Sequence, residues 1–317
     1  MSDIHDKDKQ LYTISDLLNW KPPYHTRIIS AGILNTNNRM IIFGDEGSWK
    51  SILAVHTAHC IARGSNWLGF RTYPSNVLRL QAELPMYIDR ERIDKYCTGS
   101  KQIHIAKDSH NPDEPDEPGS PANHYAYPTN YVSRTEQFIH IDESIGWESL
   151  LRNIRLCISE LPQAPLVVIL DPLYKMFNRN ISEETDVKPL LDKVDIIMDE
   201  VKGAGLSFII VHHTRKSKTD ESGVPIAMGS QDATGARTWM RWADTILRID
   251  PEPNDRTMTR VTATFTKHRN AEDVLPIIRL RWNRDTLHPQ ILQRIMPRYE
   301  DEEEIETRGE AGLAQLE

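Results

Sequence analysis

Cysteine is scarce in this sequence, and its scarcity excludes two classes of site. The 317 residues include three cysteines, Cys60, Cys97 and Cys157, which lie far apart and form no C-x-x-C pair. Disulfide frameworks and structural zinc sites both need clusters of thiols at short spacing. We therefore predict neither, and expect three reduced and mostly buried thiols, as is typical of a cytoplasmic protein.

Long apolar runs and an excess of positive charge are also lacking. No apolar run approaches the roughly 20 residues that a membrane-spanning helix needs, so we expect no membrane contact. The first ten residues are polar and of mixed charge, unlike a secretory signal. The net charge of −8 excludes a uniformly basic coat, so any contact with nucleic acid must be local. These features favour a cytoplasmic protein with one large core domain.

The segment Met40–Ser51, MIIFGDEGSWKS, is the most informative motif present. It predicts a buried strand, a glycine-bearing turn and the start of a helix, which together direct backbone N–H groups and a positive helix end at one point. In the pattern G-x-x-x-x-G-K-S, the lysine reaches the β- and γ-phosphates and the serine holds Mg²⁺. The predicted phosphate-binding residues are Gly44, Asp45, Glu46, Gly47, Ser48, Trp49, Lys50 and Ser51.

Trp49 is the one departure from that pattern, which has glycine before the lysine. The position often needs an unusual backbone angle, where a bulky residue costs about 1–3 kcal/mol. We expect the indole to point outward, over the nucleotide or against a neighbouring loop. Taken alone, the motif is equally compatible with a glycine-rich turn that binds no nucleotide.

Alternation of apolar strands with helices predicts the fold class. The predicted strands are 40–43, 77–80, 138–141, 166–171, 207–213, 245–249, 260–266 and 277–282, and the predicted helices are 12–20, 51–63, 86–97, 147–161 and 187–202. The last three strands have no long helix between them. This order favours an α/β fold with a mostly parallel central sheet, helices on both faces and an antiparallel C-terminal extension.

Composition also predicts the division of the chain. Residues 1–38 are predicted to be a lead-in, and residues 39–298 the core. Residues of about 106–133 are predicted to be a mobile insertion, because the proline-rich, charged stretch 111–121 within them cannot form regular structure. Residues 299–317 are predicted to be an acidic, disordered tail.

Polar residues follow three further predicted strands. Glu83, Asp171 and the pair His212-His213 stand at or just beyond strand ends, where ligands bind in open α/β sheets. Asp171 would hold Mg²⁺, Glu83 would act as general base towards water, and His213 would sense the γ-phosphate. Each residue type, taken alone at such a position, is more often a turn former, an exposed glutamate or a structural histidine. Their order after the first motif favours nucleotide hydrolysis.

These motifs together resemble the RecA-like P-loop ATPases of the hexameric replicative helicase group, with plasmid RepA-type and DnaB-type helicase domains. The resemblance extends over roughly residues 25–295. It implies a RecA-like fold, ATP and Mg²⁺ as cofactors, single-stranded DNA as partner and a homo-oligomer, normally a hexameric ring. The matching segments are Met40–Ser51, Leu78–Glu83, Leu166–Leu173, Phe208–Lys216, Gly229–Ser230, Trp242–Asp244 and Phe265–Asn270.

The same resemblance implies roles for basic residues. Lys267 and Arg269 would reach the nucleotide of a neighbouring subunit, and alternation along a strand directs both to one face. DNA would contact the loops after Asp171 and His213, where aromatic residues Tyr174 and Phe177 accompany part of the basic set. The implied DNA-binding residues are Lys175, Arg179, Arg215, Lys216 and Lys218. The alternatives are a solvated edge-strand pair and ordinary solvated loops.

The leading functional hypothesis is therefore an ATP-dependent DNA motor, a ring-forming replicative helicase. One alternative is a recombinase-like or recombination-mediator ATPase that forms filaments on DNA. Another is a nucleotide-binding regulator with weak turnover, caused by Trp49.

Overall fold

The computed structural model describes residues 13–19, 21, 25–108, 128–135, 139–181, 183–213 and 236–297. Several sequence-based predictions lie outside these residues. They are the centre of the insertion, the acidic tail, the Gly229–Ser230 segment, and Arg215, Lys216 and Lys218. Within the described ranges, no helix is long and apolar enough to cross a membrane.

Six helices and eleven strands make up the described chain. The helices are α1 (Ile14–Asn19), α2 (Lys50–Arg63), α3 (Met86–Asp108), α4 (Ser144–Glu160), α5 (Glu184–Glu200) and α6 (Ala236–Trp242). The strands are β1 (Arg27–Ile29), β2 (Leu34–Asn35), β3 (Arg39–Gly44), β4 (Asn76–Gln81), β5 (Tyr131–Thr135), β6 (Leu166–Asp171), β7 (Ser207–His213), β8 (Thr245–Pro251), β9 (Arg260–His268), β10 (Ile277–Trp282) and β11 (Pro289–Ile295).

Nine strands form one sheet in the order β11-β10-β9-β8-β3-β7-β6-β4-β5. The strands from β8 to β5 in this order run parallel, while β9, β10 and β11 are added antiparallel. Every residue of β6 is buried, which explains its unbroken apolar sequence before the final aspartate. The predicted fold class, a mostly parallel sheet with an antiparallel C-terminal extension, is confirmed.

Helices cover both faces of this sheet, so the protein has two hydrophobic cores. The core on one face includes α2 and the inward side chains of β8 to β10. The core on the other face includes α4 and α5. Because both faces are covered, the carboxyl ends of β3, β4, β6 and β7 form a single accessible edge, where a ligand can meet residues from all four strands.

The predicted strand at 138–141 is wrong. Ile139 and Ile141 are buried, but they belong to no strand, and the amide of Ile141 donates to the carbonyl of Met176 at 2.8 Å. The strand beside β4 is β5, which lies earlier in the chain. Alternating apolar residues predict a strand, but in the structure these two isoleucines are part of the α4-side core without forming one.

Two predicted boundaries also differ from the structure. Residues 27–35 form the antiparallel pair β1–β2, and Ile28, Ile29 and Leu34 are fully buried in the α2-side core. The core therefore begins before residue 39. The predicted insertion at 106–133 is shorter, because α3 continues to Asp108 and β5 begins at Tyr131.

Candidate nucleotide-binding site

The turn between β3 and α2 has the backbone of a phosphate-binding loop. A side chain on Gly44 would place its Cβ 2.1 Å from the carbonyl oxygen of Ile249, so only glycine fits there. Gly47 has a φ of 76°, a left-handed conformation that glycine adopts without strain. Ser48 closes the turn by donating from its hydroxyl to the carbonyl of Asp45 at 2.7 Å. The amides that follow lie at the start of α2, where an anion is stabilised.

Lys50 lies inside this turn and is buried. Its ammonium group donates to the carbonyl of Asp45 and, at 3.0 Å, to the hydroxyl of Ser48. Burial lowers the pKa of Lys50 to about 8, although the carboxylates of Asp45 and Asp171 partly offset this effect. A phosphate in the turn would favour the charged form of Lys50 in the same way as those carboxylates.

Trp49 adopts the strained backbone conformation that its position demands, with a φ of 66°. Its indole stacks on Trp282 of β10, with the ring centroids 5.6 Å apart and the planes 5° from parallel. The indole N–H donates to the carbonyl of Met258 at 2.8 Å. Of the two positions expected from the sequence, the side chain takes the one against a neighbouring loop. A stack of about 0.5–1.5 kcal/mol and a hydrogen bond of about 1 kcal/mol offset the strain.

Replacing Trp49 by glycine is expected to keep or raise ATPase activity, because glycine accepts the positive φ and the indole lies against Trp282 and Met258. Trp49→Ala serves as the matched control, since alanine loses the same contacts but keeps the strain. We expect Trp49→Gly to be more stable to urea than Trp49→Ala by about 1 kcal/mol. A Trp49→Gly protein that no longer binds nucleotide would show that the indole contributes to the site itself.

Ser51 and Asp171, the predicted Mg²⁺ residues, are in contact. The Ser51 hydroxyl donates to Oδ1 of Asp171 at 2.9 Å, and Asp171 is fully buried at the end of β6. A hydroxyl and a carboxylate are the hard oxygen donors that Mg²⁺ prefers, and Mg²⁺ commonly completes its shell with phosphate and water. The described residues contain no group of three or more acidic, histidine or cysteine side chains that could hold a metal alone. The donor set therefore fits Mg²⁺ bound together with a nucleotide.

Asp171 has a second partner that sequence reasoning missed. Nη2 of Arg79, on the neighbouring strand β4, donates to Oδ2 of Asp171 at 2.7 Å. Nη1 of the same guanidinium donates to both carboxylate oxygens of Asp89, at 2.9 and 3.0 Å. The available signal was a lone charged residue in the middle of an otherwise apolar strand.

Glu83 follows β4 and is exposed at the same edge of the sheet. The side-chain oxygen of Gln81 accepts the backbone N–H groups of Glu83 and Leu84, at 2.7 and 2.9 Å, and so holds the turn. The hydroxyl of Tyr174 donates to Oε1 of Glu83 at 3.1 Å. Burial, followed by the neighbouring Glu83 carboxylate, raises the pKa of Tyr174 to about 12, so its phenol stays a donor at neutral pH.

A cavity of about 490 Å³ joins Glu83 to the phosphate-binding turn. Its volume is in the range of small-molecule sites. Six residues of the predicted loop line it, while Gly44 and Asp45 form the base of the turn outside the lining. The remaining walls come from Ile52, Leu287 and the α3 residues Ile88, Glu91, Arg92 and Lys95. Arg92 and Lys95 were not predicted, although their spacing of three places them on one side of a helix.

The other predicted residues have different positions. His213 pairs with Gly44 in the sheet, so its backbone lies beside the phosphate-binding turn, but its side chain is outside the described part of the structure. Lys175 and Arg179 follow β6 and are exposed. Phe177, expected as an aromatic contact for DNA, is buried, with 6% exposed.

Lys267 and Arg269 lie towards the amino-terminal ends of the parallel strands, whereas the phosphate-binding turn lies at their carboxyl ends. Lys267 pairs with Ile246, which pairs with Ile41, about 10 Å before Gly44 along β3. The Lys267 ammonium donates to carbonyls of Met240, Arg241 and Ala243 at 2.5, 3.2 and 2.5 Å, which satisfies the end of α6.

Arg269 is directed to the same place as Lys267. It forms an ion pair with Asp244 at 2.9 Å and donates to the carbonyl of Arg241 at 3.4 Å. Within one chain, therefore, neither residue is brought to the cavity. Both side chains contact the segment at the end of α6.

Comparison with solved structures places this fold among RecA-like proteins. A DnaB-like replicative helicase, solved to study its interactions with primase, is 14% identical, with 90% of this chain and 68% of that chain covered and a TM-score of 0.58. A second solved structure, described as an ATPase domain, is 12% identical, with 81% and 86% covered and a TM-score of 0.55. A KaiC-like protein from Pyrococcus horikoshii OT3 is 11% identical, with 84% and 100% covered and a TM-score of 0.51.

The sequence itself matches one protein family over most of its length. No curated protein matches this chain in sequence. The AAA domain family AAA_25 matches residues 7–219, which include the phosphate-binding turn, Glu83, Asp171 and the strand that ends at His213. The matched range begins at residue 7, before the predicted end of the lead-in at residue 38. This agrees with the buried β1–β2 pair, which also precedes that boundary. The chain therefore belongs to the AAA domain family AAA_25 and has the RecA-like P-loop fold.

Proposed function

We propose that this protein is an ATP-dependent DNA motor that hydrolyses ATP with Mg²⁺ on single-stranded DNA, as a ring-forming replicative helicase. One observation carries the ATPase part of the proposal: Lys50, Ser51 and Glu83 line a single cavity, and Ser51 is hydrogen-bonded to the buried Asp171. These four residues come from three strand ends. Together they supply a cation that binds the phosphates, oxygen donors for the metal, and a carboxylate that can accept a proton from water.

Each of these residues is proposed to act at one step of hydrolysis. The turn amides and Lys50 bind and orient the phosphates. Ser51 and Asp171 would hold Mg²⁺, which neutralises charge on the transferred phosphoryl group. Glu83, fixed by Gln81 and hydrogen-bonded by Tyr174, accepts a proton from the attacking water. Tyr174 belongs to the loop after Asp171, so it joins the base to a segment proposed to contact DNA.

Lys267 and Arg269 lie away from the nucleotide cavity of their own chain, and this position supports assembly of several copies of the chain. They cannot serve the phosphates of their own chain, but in a head-to-tail ring that position faces the neighbour's cavity. There a basic residue would stabilise the transition state in trans. Their present contacts with the end of α6 would have to be exchanged for contacts with the neighbour's nucleotide.

Basic residues that follow β6 and β7 in the sequence support a local DNA contact on an acidic protein. Lys175 and Arg179 follow β6, and Arg215, Lys216 and Lys218 follow β7 in sequence. The similar fold of the DnaB-like replicative helicase is consistent with a replicative motor. His213, beside Gly44, is proposed to relay the state of the γ-phosphate to the loop that follows it.

Glu83→Gln is expected to retain ATP binding and to slow turnover by roughly 10²–10⁴-fold, because the shape is kept while the base is lost. Tyr174→Phe is the matched control, since it removes only the hydrogen bond to Glu83 and should have a much smaller effect. Steady-state phosphate release, with and without single-stranded DNA, measures both. If Glu83→Gln hydrolyses ATP at the parent rate, Glu83 is not the base.

Electron microscopy with an ATP analogue and single-stranded DNA tests the motor itself. Closed rings, together with unwinding of a forked duplex, are the expected result. Filaments with strand exchange would instead support the recombinase-like alternative. Monomers whose ATP hydrolysis does not respond to DNA would support the nucleotide-binding regulator.

A further inference from the structure

Arg79 is a fully charged side chain in the middle of the central sheet. It is 1% exposed, and its neighbours Val77, Leu78 and Leu80 on β4 are buried apolar residues. Its guanidinium bridges Asp89 of α3 and Asp171 of β6. Thr135 of β5 donates to Asp89 at 3.1 Å, so the cluster joins three strands to one helix.

Burying the charged groups of this cluster is unfavourable in free energy. Each buried ion loses most of its favourable hydration, and apolar residues of similar volume commonly stabilise a protein as well or better. Nε of Arg79 also has no hydrogen-bond partner among the described residues, which adds to the cost. Stability alone therefore gives no reason for the guanidinium, and its partners suggest another role.

The contacts of Asp171 indicate what that role is. One carboxylate oxygen accepts the Ser51 hydroxyl and the other accepts Arg79, at 2.9 and 2.7 Å. Two donors on opposite oxygens fix the plane of the carboxylate. Oδ1 is the oxygen beside Ser51, and so it is the one placed towards a cation held in the phosphate-binding turn.

The contacts of Asp89 connect the same guanidinium to the cavity wall. Asp89 lies in the first turn of α3, and both its oxygens accept from Arg79. Arg92 lies one helical turn further along α3, and Lys95 follows it on the same side; both line the cavity. A rigid two-pronged group therefore links this wall to the carboxylate below the turn.

We propose that Arg79 is a positioning residue for Asp171, which orients this carboxylate for Mg²⁺ and joins it to the α3 wall of the nucleotide site. The inference rests on the proposed ATPase function. It goes beyond that function because a guanidinium in β4, which touches neither nucleotide nor metal, determines how much Mg²⁺ strengthens nucleotide binding.

Two variants, chosen to disturb folding as little as the site allows, test the role. Arg79→Lys retains the positive charge but loses the fork that engages both carboxylates. The double variant Arg79→Met with Asp89→Asn removes a positive and a negative charge together. The cluster then keeps its net charge of −1, because one guanidinium and two carboxylates become one carboxylate. Arg279→Lys is the matched control, because Arg279 forms a similar two-pronged pair with Glu252, at 2.7 and 3.0 Å, outside the cavity.

The measurement is the affinity for a fluorescent ATP analogue in Mg²⁺ and in EDTA, with electron paramagnetic resonance of bound Mn²⁺ as the spectroscopic readout. We expect both Arg79 variants to bind like wild type in EDTA, and to lose roughly 10–100-fold of the affinity gained with Mg²⁺. The Mn²⁺ spectrum should change as well. Arg279→Lys should behave like wild type in both conditions.

Each contrary result has a distinct meaning. If both Arg79 variants keep the full Mg²⁺ gain and an unchanged Mn²⁺ spectrum, Arg79 does not position Asp171, while the ATPase proposal stands. If neither variant folds, as judged by urea denaturation, the cluster is structural and the inference is overturned. If wild type itself gains no affinity with Mg²⁺, the proposed function fails and the inference fails with it.

Discussion

Lys50→Ala is expected to abolish ATP hydrolysis, with turnover falling by roughly 10³-fold or more. The ammonium group is held in the phosphate-binding turn by Asp45 and Ser48, so its removal takes a buried positive charge from the site. Steady-state phosphate release measures the loss. Activity near that of the parent would mean that the turn does not hold the reacting phosphates.

Folding stability supplies the control for this variant. Because burial lowers the pKa of Lys50 to about 8 from an ordinary 10.5, its charged form is less favourable in the folded protein than in the unfolded chain. Stability of the nucleotide-free protein should therefore increase as pH rises from about 8 towards 10.5. Lys50→Ala should be at least as stable as wild type at pH 7 and should lose that dependence. A variant that has lost activity because it is unfolded would contradict this expectation.

The same titration should act on nucleotide binding in the opposite direction. Phosphates favour protonated Lys50, so affinity should be level below its pKa of about 8 and should fall as pH rises above it. The decline approaches tenfold per pH unit, because one proton must be taken up for each nucleotide bound. Calorimetry in buffers of different ionisation enthalpy measures that uptake. An affinity that stays level between pH 8 and 10 would contradict the assignment to Lys50.

Arg269→Ala is expected to retain ATP binding yet to lose hydrolysis, and mixing it with Glu83→Gln protein should restore part of the activity. At a mixed interface one subunit supplies the intact glutamate and the other the intact arginine. Neither variant alone can form such an interface. Arginine suits this role because its planar fork binds a phosphate through two hydrogen bonds and does not lose its charge.

The ion pair of Arg269 with Asp244 makes a second control necessary. Asp244→Asn removes that pair but leaves Arg269 available to a neighbour. The Arg269 side chain is 52% exposed, whereas that of Asp244 is 6% exposed. We expect this variant to keep hydrolysis if Arg269 acts in trans. Absence of rescue in the mixture, with mixed oligomers verified by native mass spectrometry, would indicate an intramolecular role and would favour the regulator hypothesis.

Local pattern was sufficient where an element is determined by its own residues. The apolar run before Asp171 predicts a strand buried on both faces, and β6 is buried at every position. The strand, turn and helix start around Lys50 follow from glycine spacing and from the apolar residues on each side. Local pattern failed at Ile139 and Ile141, because alternating apolar residues can serve a loop that enters a core as well as a strand. It also missed β11, whose side chains are mostly exposed and so lack a strong period.

The same distinction between local sequence and tertiary packing applies to the candidate site. The sequence by itself determined that Lys50, Ser51, Glu83 and Asp171 stand at strand ends, and parallel strands bring their carboxyl ends to one edge. Only the tertiary structure decided the partners: Arg79 with Asp171, 92 residues apart, and Trp49 with Met258, 209 residues apart. It also directed Lys267 and Arg269 to the end of α6. Periodicity reports which face a residue occupies, whereas a hydrogen bond or ion pair depends on which distant segment packs against that face.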